Sequence, residues 1–423
     1  MSAPASVSSS PAAEAAPLHG MSFGVFVAFI ASLMATNAMA IDSMLPALPG
    51  IGAALGIEAG NHVQLVVTAY LLGFGGAQII YGTLSDRYGR RPVLIVGLVL
   101  YTVASVAAMF APSFAVMMVA RVLQGVGAAA TRVLATSIVR DCYSGRQMAR
   151  VMSLAFIVFL AVPILAPSIG QLILLFAPWR GIFGLLVLFG VVTLSWVLLK
   201  LPETLNPADR TPISLAGIRH AAGTVLGSRV TVFYSLAMTM AMGCLFGFIN
   251  SAQQVFADAF HAPHLFTTVF ALIAFFMALS SLLNARIVGR LGMRRVSHAA
   301  LLGFIVVAMV HGLAAATGHE SLWVFAALQS GLMFCFGLMA SNFNAIAMEP
   351  VGHVAGTASS LIGFVSTVGG ALLGFALGQH FDGTTLPLAT GFAVLGCAAL
   401  VLVLIGERGR LFRSGQPAAH GAD

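Results

Sequence analysis

The chain has 423 residues, of which 59% are hydrophobic and only 8% are charged, and its mean hydropathy is +0.99. A soluble domain carries about 25% charged residues, so a chain this poor in charge cannot cover a water-facing surface. Its solvent must be largely lipid, where backbone polar groups are satisfied within helices or closed barrels. The apolar segments are long and continuous and do not alternate over about ten residues, which favours helices over a barrel.

The chain begins with a polar segment. Residues 1–20 are rich in Ala, Ser and Pro and contain no Lys or Arg. They lack the basic start and the short apolar core of a signal peptide. We interpret them as a disordered cytoplasmic tail.

Twelve segments are long enough to cross a membrane, which takes about 20 apolar residues. The first six lie near residues 22–44, 60–82, 93–111, 114–139, 150–173 and 180–200. The second six lie near residues 230–250, 264–288, 297–316, 322–346, 356–379 and 387–406. The predicted fold is therefore an all-α membrane protein with two six-helix bundles over 21–200 and 230–407, a cytoplasmic linker over 201–229 and a tail over 408–423.

The basic residues fall in alternate loops. One set of loops carries Arg87, Arg90, Arg91, Arg140, Arg146, Arg150, Lys200, Arg210, Arg219, Arg229, Arg290, Arg294, Arg295, Arg408, Arg410 and Arg413. The opposite loops carry a single Lys or Arg, Arg180. Because Lys and Arg concentrate on the cytoplasmic side of inner-membrane proteins, both termini are predicted to be cytoplasmic. The net charge of +7 then faces anionic lipid headgroups, and we do not expect a nucleic-acid partner.

A short repeat relates the two halves. Arg87-Tyr-Gly-Arg-Arg91 after span two is similar to Arg290-Leu-Gly-Met-Arg294 after span eight. The two segments occupy equivalent positions in the two groups of six spans. Homologous halves of this kind are typical of secondary transporters.

The segment Gly82–Pro92 reads GTLSDRYGRRP and joins spans two and three. Gly89 permits a tight turn between two antiparallel helices. Asp86 lies at the membrane edge among arginines, where it can pair with them or cap a helix.

Span four contains a charged residue, Arg121, about two turns inside the membrane, where a charge is costly. Gln124 is three residues later and shares its helix face. Arg132 is three turns further on, so it faces the same way about 16 Å away along the axis. Arg121 either serves transport or holds helices together through hydrogen bonds.

Asp42 is the acidic residue inside a span of the N-terminal half, in the string AIDSMLPALP. An intramembrane carboxylate is a functional-site hypothesis by default, and Asp42 is predicted to bind and release the transported proton and to face the substrate. The alternatives are a buried polar contact and a solvated carboxylate near the outer interface.

In span five, Pro167 removes a backbone hydrogen bond, and Gly170 permits close helix approach. The segment Pro163–Gly170 predicts either an element of the transport cycle or a kinked helix without such a role. The C-terminal half offers further polar groups inside spans, and Asn250, Gln254 and Asn342 are predicted, with Gln124, to line the substrate cavity. The sequence contains no P-loop, metal-ligand cluster or catalytic constellation that rises above chance, so we expect no cofactor, no metal and no enzyme.

These strings resemble the major facilitator superfamily, and within it the twelve-span drug:proton antiporters of the bicyclomycin/chloramphenicol-resistance group. GTLSDRYGRRP is similar to the loop 2–3 signature G-x-L-a-D-R-x-G-R-R, Arg121–Gly125 to R-x-x-Q-G, and the Asp42 string to D-x-Y-L-P-A-L-P. PILAPSIG resembles the antiporter motif G-P-x-x-G-G. The resemblance implies proton coupling by Arg121 and conformational roles for Pro167 and Gly170. It also implies a cytoplasmic latch formed by Gly82, Asp86, Arg87, Gly89, Arg90 and Arg91.

The resemblance implies a monomeric, proton-coupled exporter of small amphipathic drugs that works by alternating access. The main alternative is a proton-coupled carrier of a natural metabolite such as a sugar. Such a carrier is expected to hold more Trp, Asn and Gln within its spans. A membrane sensor or structural protein would not need Asp42 together with Arg121 and Gln124.

Overall fold

The computed structural model describes residues 21–57, 60–210 and 215–412. The predicted tail over residues 1–20 lies outside this range, as does most of the predicted C-terminal tail. Within the range, twelve helical segments are long and apolar enough to cross a membrane. The predicted all-α fold with twelve spans is therefore confirmed.

The helices of the N-terminal half are α1 Phe23–Asp42, α2 Leu48–Ala54, α3 Leu65–Tyr88, α4 Arg90–Met109, α5 Phe114–Cys142, α6 Gly145–Leu174 and α7 Arg180–Lys200. A 3₁₀ turn over Leu45–Ala47 joins α1 and α2 into one span. The predicted linker contains a helix of its own, α8 Leu215–Gly227. The helices of the C-terminal half are α9 Arg229–Gln254, α10 Phe266–Leu291, α11 Met293–Ala316, α12 Leu322–Met348, α13 Ala355–Gln379 and α14 Leu386–Gly406.

The helix starts repeat between the two halves. At the start of spans one, four, seven and ten, a serine Oγ accepts a hydrogen bond from a backbone N–H of the first turn. The four serines are Ser22, Ser113, Ser228 and Ser321. Each cap satisfies a donor that the helix leaves unpaired. Spans one and four correspond to spans seven and ten, so the caps are related by the same symmetry as the fold.

The turns that join spans two and three and spans eight and nine also correspond. Gly89 ends α3 with φ 101° and ψ 161°, and Gly292 ends α10 with φ 83° and ψ 149°. Only glycine adopts such angles without strain. The repeat seen in the sequence is thus a repeat of backbone conformation.

The outer surface of the bundle is apolar. Large aliphatic side chains lie exposed on α4 and α11, among them Val96 at 64% and Val306 at 59%. An exposed apolar surface of this kind fits a hydrocarbon environment. The chain is a multi-pass membrane protein.

The two halves meet through α3 against α13 and through α6 against α10. The end of the bundle that carries the turns at Gly89 and Gly292 is called the arginine-rich end below. The end that carries Asn61 and Gln379 is called the arginine-poor end.

Candidate transport site

Arg121 lies at the meeting point of α1, α3 and α5. Its guanidinium is fully buried and donates to the backbone carbonyls of Val66, at 3.0 Å, and Ala40, at 3.2 Å. It also donates to the side-chain oxygen of Gln124. The ring of Tyr70 lies 4.5 Å from the guanidinium carbon. A buried charge needs such a complete set of partners, and here these partners tie three helices together.

Gln124 completes the network around Arg121. Its amide nitrogen donates to the hydroxyl of Ser105 on α4 at 2.7 Å. The hydroxyl of Tyr70 donates to the side-chain oxygen of Asn37 at 2.9 Å. The i, i+3 spacing predicted that Arg121 and Gln124 share a face, and the two side chains touch. Gln124 is fully buried in this network.

Glycines allow α5 to reach its neighbours. A Cβ atom on Gly125 would overlap the carbonyl oxygen of Tyr70, and one on Gly127 would overlap the backbone nitrogen of Tyr101. The helices therefore approach through their backbones at this depth. This close approach brings the carbonyl of Val66 within reach of Arg121.

Asp42 is the last residue of α1 and is 5% exposed. It precedes Ala54, the end of the first span, by twelve residues, which form a turn, the 3₁₀ segment and α2. Among the described residues, its carboxylate forms no hydrogen bond or ion pair. A buried carboxylate without a cationic partner is stable chiefly when it is protonated.

The Pro167 segment packs beside Asp42. Helix α6 runs without a break through Pro163 and Pro167. A Cβ atom on Gly170 would overlap the carbonyl oxygen of Ser43, the residue after Asp42. Gly170 therefore lets α6 contact the chain where α1 ends.

Four amide side chains form a seam between the halves at the arginine-poor end. This amide seam consists of Asn61, Gln64, Gln254 and Gln379. Asn61 donates to the carbonyls of Gln379 at 3.1 Å and Phe381 at 3.0 Å, and Gln379 donates back to the Asn61 carbonyl at 2.7 Å. Gln254 donates to the Asn61 side chain at 2.7 Å, and Gln64 donates to the Gln254 side chain.

The remaining predicted cavity residues lie in two different places. Asn250 continues the amide seam inward, since it donates to the hydroxyl of Thr68 at 3.4 Å. Asn342 donates to the side-chain oxygen of Asn284 at 2.7 Å within the C-terminal half. Asn250, Asn342 and Gln124 are all buried, and the structure does not bring them together around one cavity.

The predicted latch residues gather around Arg90. Its guanidinium is almost fully buried and contacts Asp86 at 2.5 Å and Asp141 at 2.9 Å. Glu203, which follows α7, accepts hydrogen bonds from the backbone nitrogens of Arg90 and Arg91. A Cβ atom on Gly89 would overlap the Glu203 carboxylate, so glycine is required there for space as well as for φ.

The other latch residues are more peripheral. Arg91 donates to the carbonyl of Leu198 at 2.9 Å, and the Arg87 guanidinium lies over the ring of Tyr88. Gly82 faces the C-terminal half, because a Cβ atom there would lie 3.1 Å from the Ser360 hydroxyl on α13. The cluster thus ties loop two–three to α5 and α7, with Gly82 at the boundary between the halves.

The C-terminal half repeats this arrangement of charges. Arg294 contacts Glu349 at 2.9 Å and Glu407 at 2.7 Å. Glu349 directly follows α12, and Asp141 lies in the last turn of α5. Glu407 follows α14 as Glu203 follows α7. Each half therefore has one arginine that ties the arginine-rich ends of its spans, Arg90 buried and Arg294 partly buried.

A family model described as Major Facilitator Superfamily matches residues 24–374. The chain belongs to this superfamily. Membership makes it a membrane transporter of small molecules and confirms the resemblance found in its motifs.

Two curated members of the superfamily are similar over most of their length. A bicyclomycin resistance protein homolog of Haemophilus influenzae is 27% identical, over 90% of this chain and 94% of the relative. The multidrug resistance protein MdtL of Escherichia coli is 30% identical, over 78% of this chain and 83% of the relative. Among solved structures, the xylose transporter XylE of E. coli has a TM-score of 0.67 at 13% identity, covering 94% of this chain and 99% of that one, which shows the shared fold.

The sequence interpretation did not find the amide seam. Asn61 and Gln64 are three residues apart at the start of the second span, and Gln254 is the last residue of α9. The sequence signal for Asn61 and Gln64 was a pair of polar residues at helical spacing next to an apolar segment. Their partners across the seam are 190 or more residues away in the chain, and no local pattern connects them.

Proposed function

We propose that this transporter exports small amphipathic drugs or toxic compounds in exchange for protons, by rocking of its two halves. The observation that carries the proposal is that the carboxylate of Asp42 is buried and has no cationic partner among the residues that the structure describes. The names of the two curated relatives, which refer to bicyclomycin and multidrug resistance, support the substrate class. The protein acts as a monomer in the inner membrane, with its arginine-rich end and both termini in the cytoplasm.

In this mechanism Asp42 carries the proton and Arg121 positions it. Arg121 bonds the carbonyl of Ala40, two residues before Asp42, and so fixes the last turn of α1. Gly170 lets α6 contact the next residue, Ser43. Protonation of Asp42 removes a buried charge between these two contacts, which changes how closely α1 and α6 can pack.

The proton gradient supplies enough free energy for export. One proton that moves inward across about 100 mV releases about 2.3 kcal/mol, and a pH difference of about one unit adds about 1.4 kcal/mol. Together these sustain a gradient of roughly several hundred-fold for a neutral substrate.

Transport into inverted membrane vesicles tests the proposal. A panel of chloramphenicol-like compounds and dyes should accumulate when a pH gradient is imposed. Asp42→Asn should abolish accumulation but retain exchange of labelled for unlabelled substrate, because Asn resembles the protonated carboxyl. Asp258→Asn removes an exposed carboxylate near the end of span seven and should behave as the unaltered protein.

The outcomes separate the alternatives. If proton-driven accumulation survives in Asp42→Asn, Asp42 is not the coupling group. If the unaltered protein accumulates none of the panel but accumulates a sugar or another metabolite, the metabolite carrier replaces the drug exporter.

A further inference from the structure

Arg132 occupies the interior face of α5. It follows Arg121 by eleven residues, or about three turns, and so points the same way. The exposed side chains Val119 and Leu123 mark the lipid side of α5. Leu123 precedes Arg132 by nine residues, so the two side chains point about 180° apart. Arg132 therefore faces away from lipid.

Arg132 is nevertheless exposed. It precedes Cys142, the end of α5, by ten residues, which places it about 15 Å inside the span. The residues above it on the same face, Arg121, Gly125 and Ala128, are buried. Exposure on an interior face at this depth indicates a water-filled cleft. Since the amide seam closes the other end, the cleft opens toward the arginine-rich end.

The Arg132 guanidinium has no acidic partner among the described residues. The carboxylates at the arginine-rich ends of the spans are already paired, Asp86 and Asp141 with Arg90, and Glu349 and Glu407 with Arg294. Asp42 lies near the level of Arg121, about 16 Å from Arg132 along the axis. The accessible charge of the cleft is therefore positive.

An aromatic surface adjoins this charge. The Phe159 ring on α6 lies 5.6 Å from the Arg132 guanidinium carbon. The Phe156 ring stacks on Phe159 at 5.7 Å between centroids and is 38% exposed. Helix α6 also packs against α10 of the other half. The pair of Arg132 and Phe159 thus lies beside the boundary at which the halves move.

We propose that Arg132 and Phe159 bind the anionic end of an aromatic substrate, a carboxylate or sulfonate, that enters from the arginine-rich end. The planar guanidinium can form two parallel hydrogen bonds to such a group, and the rings of Phe159 and Phe156 can pack against the aromatic body. The inference rests on the proposed export function and identifies aromatic organic anions as the preferred members of its substrate class. It also separates the substrate site from Asp42, so proton and substrate bind different side chains.

Three probes with one aromatic body and different charge test the site. These are naphthalene-2-sulfonate, naphthalene-2-sulfonamide and (2-naphthylmethyl)trimethylammonium, whose charges are negative, zero and positive at neutral pH. Binding to the purified full-length protein in lipid nanodiscs is measured by equilibrium titration. The sulfonate should bind at least about tenfold more tightly than the ammonium compound, with the sulfonamide between them.

Arg132→Gln should weaken sulfonate binding by about tenfold or more and leave sulfonamide binding nearly unchanged, which also shows that the variant is folded. Arg132→Lys keeps the charge but not the planar fork and should lose less. Arg150→Gln is the matched control. Arg150 is an exposed arginine near the start of α6, and its guanidinium carbon lies 4.9 Å from the centre of an aromatic ring, that of Phe23 on α1. This variant should bind all three probes as the unaltered protein does.

The two proposals fail in different ways. Tighter binding of the ammonium compound, or unchanged sulfonate binding in Arg132→Gln, overturns the anion site and leaves proton-driven export in place. Sulfonate binding that depends on Arg132, without proton-driven accumulation of any probe in inverted vesicles, supports the site and overturns the export function.

Discussion

Arg121 shows how one buried side chain can serve both stability and transport. Its guanidinium divides its donors among the Val66 carbonyl, the Ala40 carbonyl and the Gln124 side chain. These acceptors belong to α3, α1 and α5, and none of them is acidic. The geometry therefore supports a positioning role beside Asp42, with the proton itself on the carboxylate.

Arg121→Lys should slow transport about tenfold or more and lower thermal stability. A lysine ammonium is compact and cannot reach three acceptors that are arranged for a planar fork. Each buried carbonyl left without a donor costs about 1–3 kcal/mol. If Arg121 only positions Asp42, the number of protons moved per substrate stays unchanged, which simultaneous proton and substrate flux measurements can check.

Arg290→Lys is the matched control, because Arg290 is exposed at the end of α10. It should change neither stability nor rate. A change in proton-to-substrate ratio in Arg121→Lys alone would assign Arg121 a direct part in coupling.

For individual side chains, the sequence predicted contacts within a helix better than contacts between helices. The spacing of Arg121 and Gln124 placed them on one face, and they touch. The position of Gln254 gave no indication of its bond to Gln64, because that bond depends on how two distant helices lie side by side. The same reason separates Asn342, inside one half, from Asn250, between the halves.

The packing of whole helices depends on small residues at the crossing points. Gly125 lies where α5 crosses α3, and a Cβ atom there would overlap the Tyr70 carbonyl. Backbone atoms cannot move aside as flexible side chains can, so a methyl group forces the two helices apart.

The predicted spans located these helices because length and hydropathy are local properties. The helix α8 was not predicted, because its segment lies in the polar stretch between the two groups of spans.

Gly125→Ala should destabilise the protein by about 1–3 kcal/mol, the usual cost of overpacking, and reduce transport. Thermal unfolding in detergent and vesicle transport are the measurements. Gly76→Ala is the control on α3, because no atom lies within 4 Å of its built Cβ position. It should be neutral or more stable by up to about 1 kcal/mol, the difference in helix propensity. Equal effects of the two substitutions would show that crossing distance does not limit packing here.

In the whole molecule, different interactions stabilise the two ends of the bundle. Ion pairs tie the arginine-rich end within each half, through the buried Arg90 and the partly buried Arg294. The amide seam joins the two halves at the arginine-poor end through neutral side chains. Neutral hydrogen bonds contribute only about 1 kcal/mol each, so a few of them can close an end firmly and still open during each cycle.

Gln254→Ala should shift the population toward the state that is open at the arginine-poor end. The substitution removes the bonds to Asn61 and Gln64, and about 1 kcal/mol per bond corresponds to roughly a fivefold change in population for each bond lost. A reporter cysteine in place of Thr68, which is buried behind the seam, should then react several-fold faster with a membrane-impermeant maleimide added from that side.

Asn284→Ala provides the matched control, because it breaks an amide–amide hydrogen bond inside the C-terminal half and leaves the seam intact. It should not change the reactivity of the reporter. Equal acceleration in both variants would mean that the label reports general loosening of the bundle. No acceleration in Gln254→Ala would mean that the closed end depends on the apolar packing of α3 against α13 and not on the amide seam.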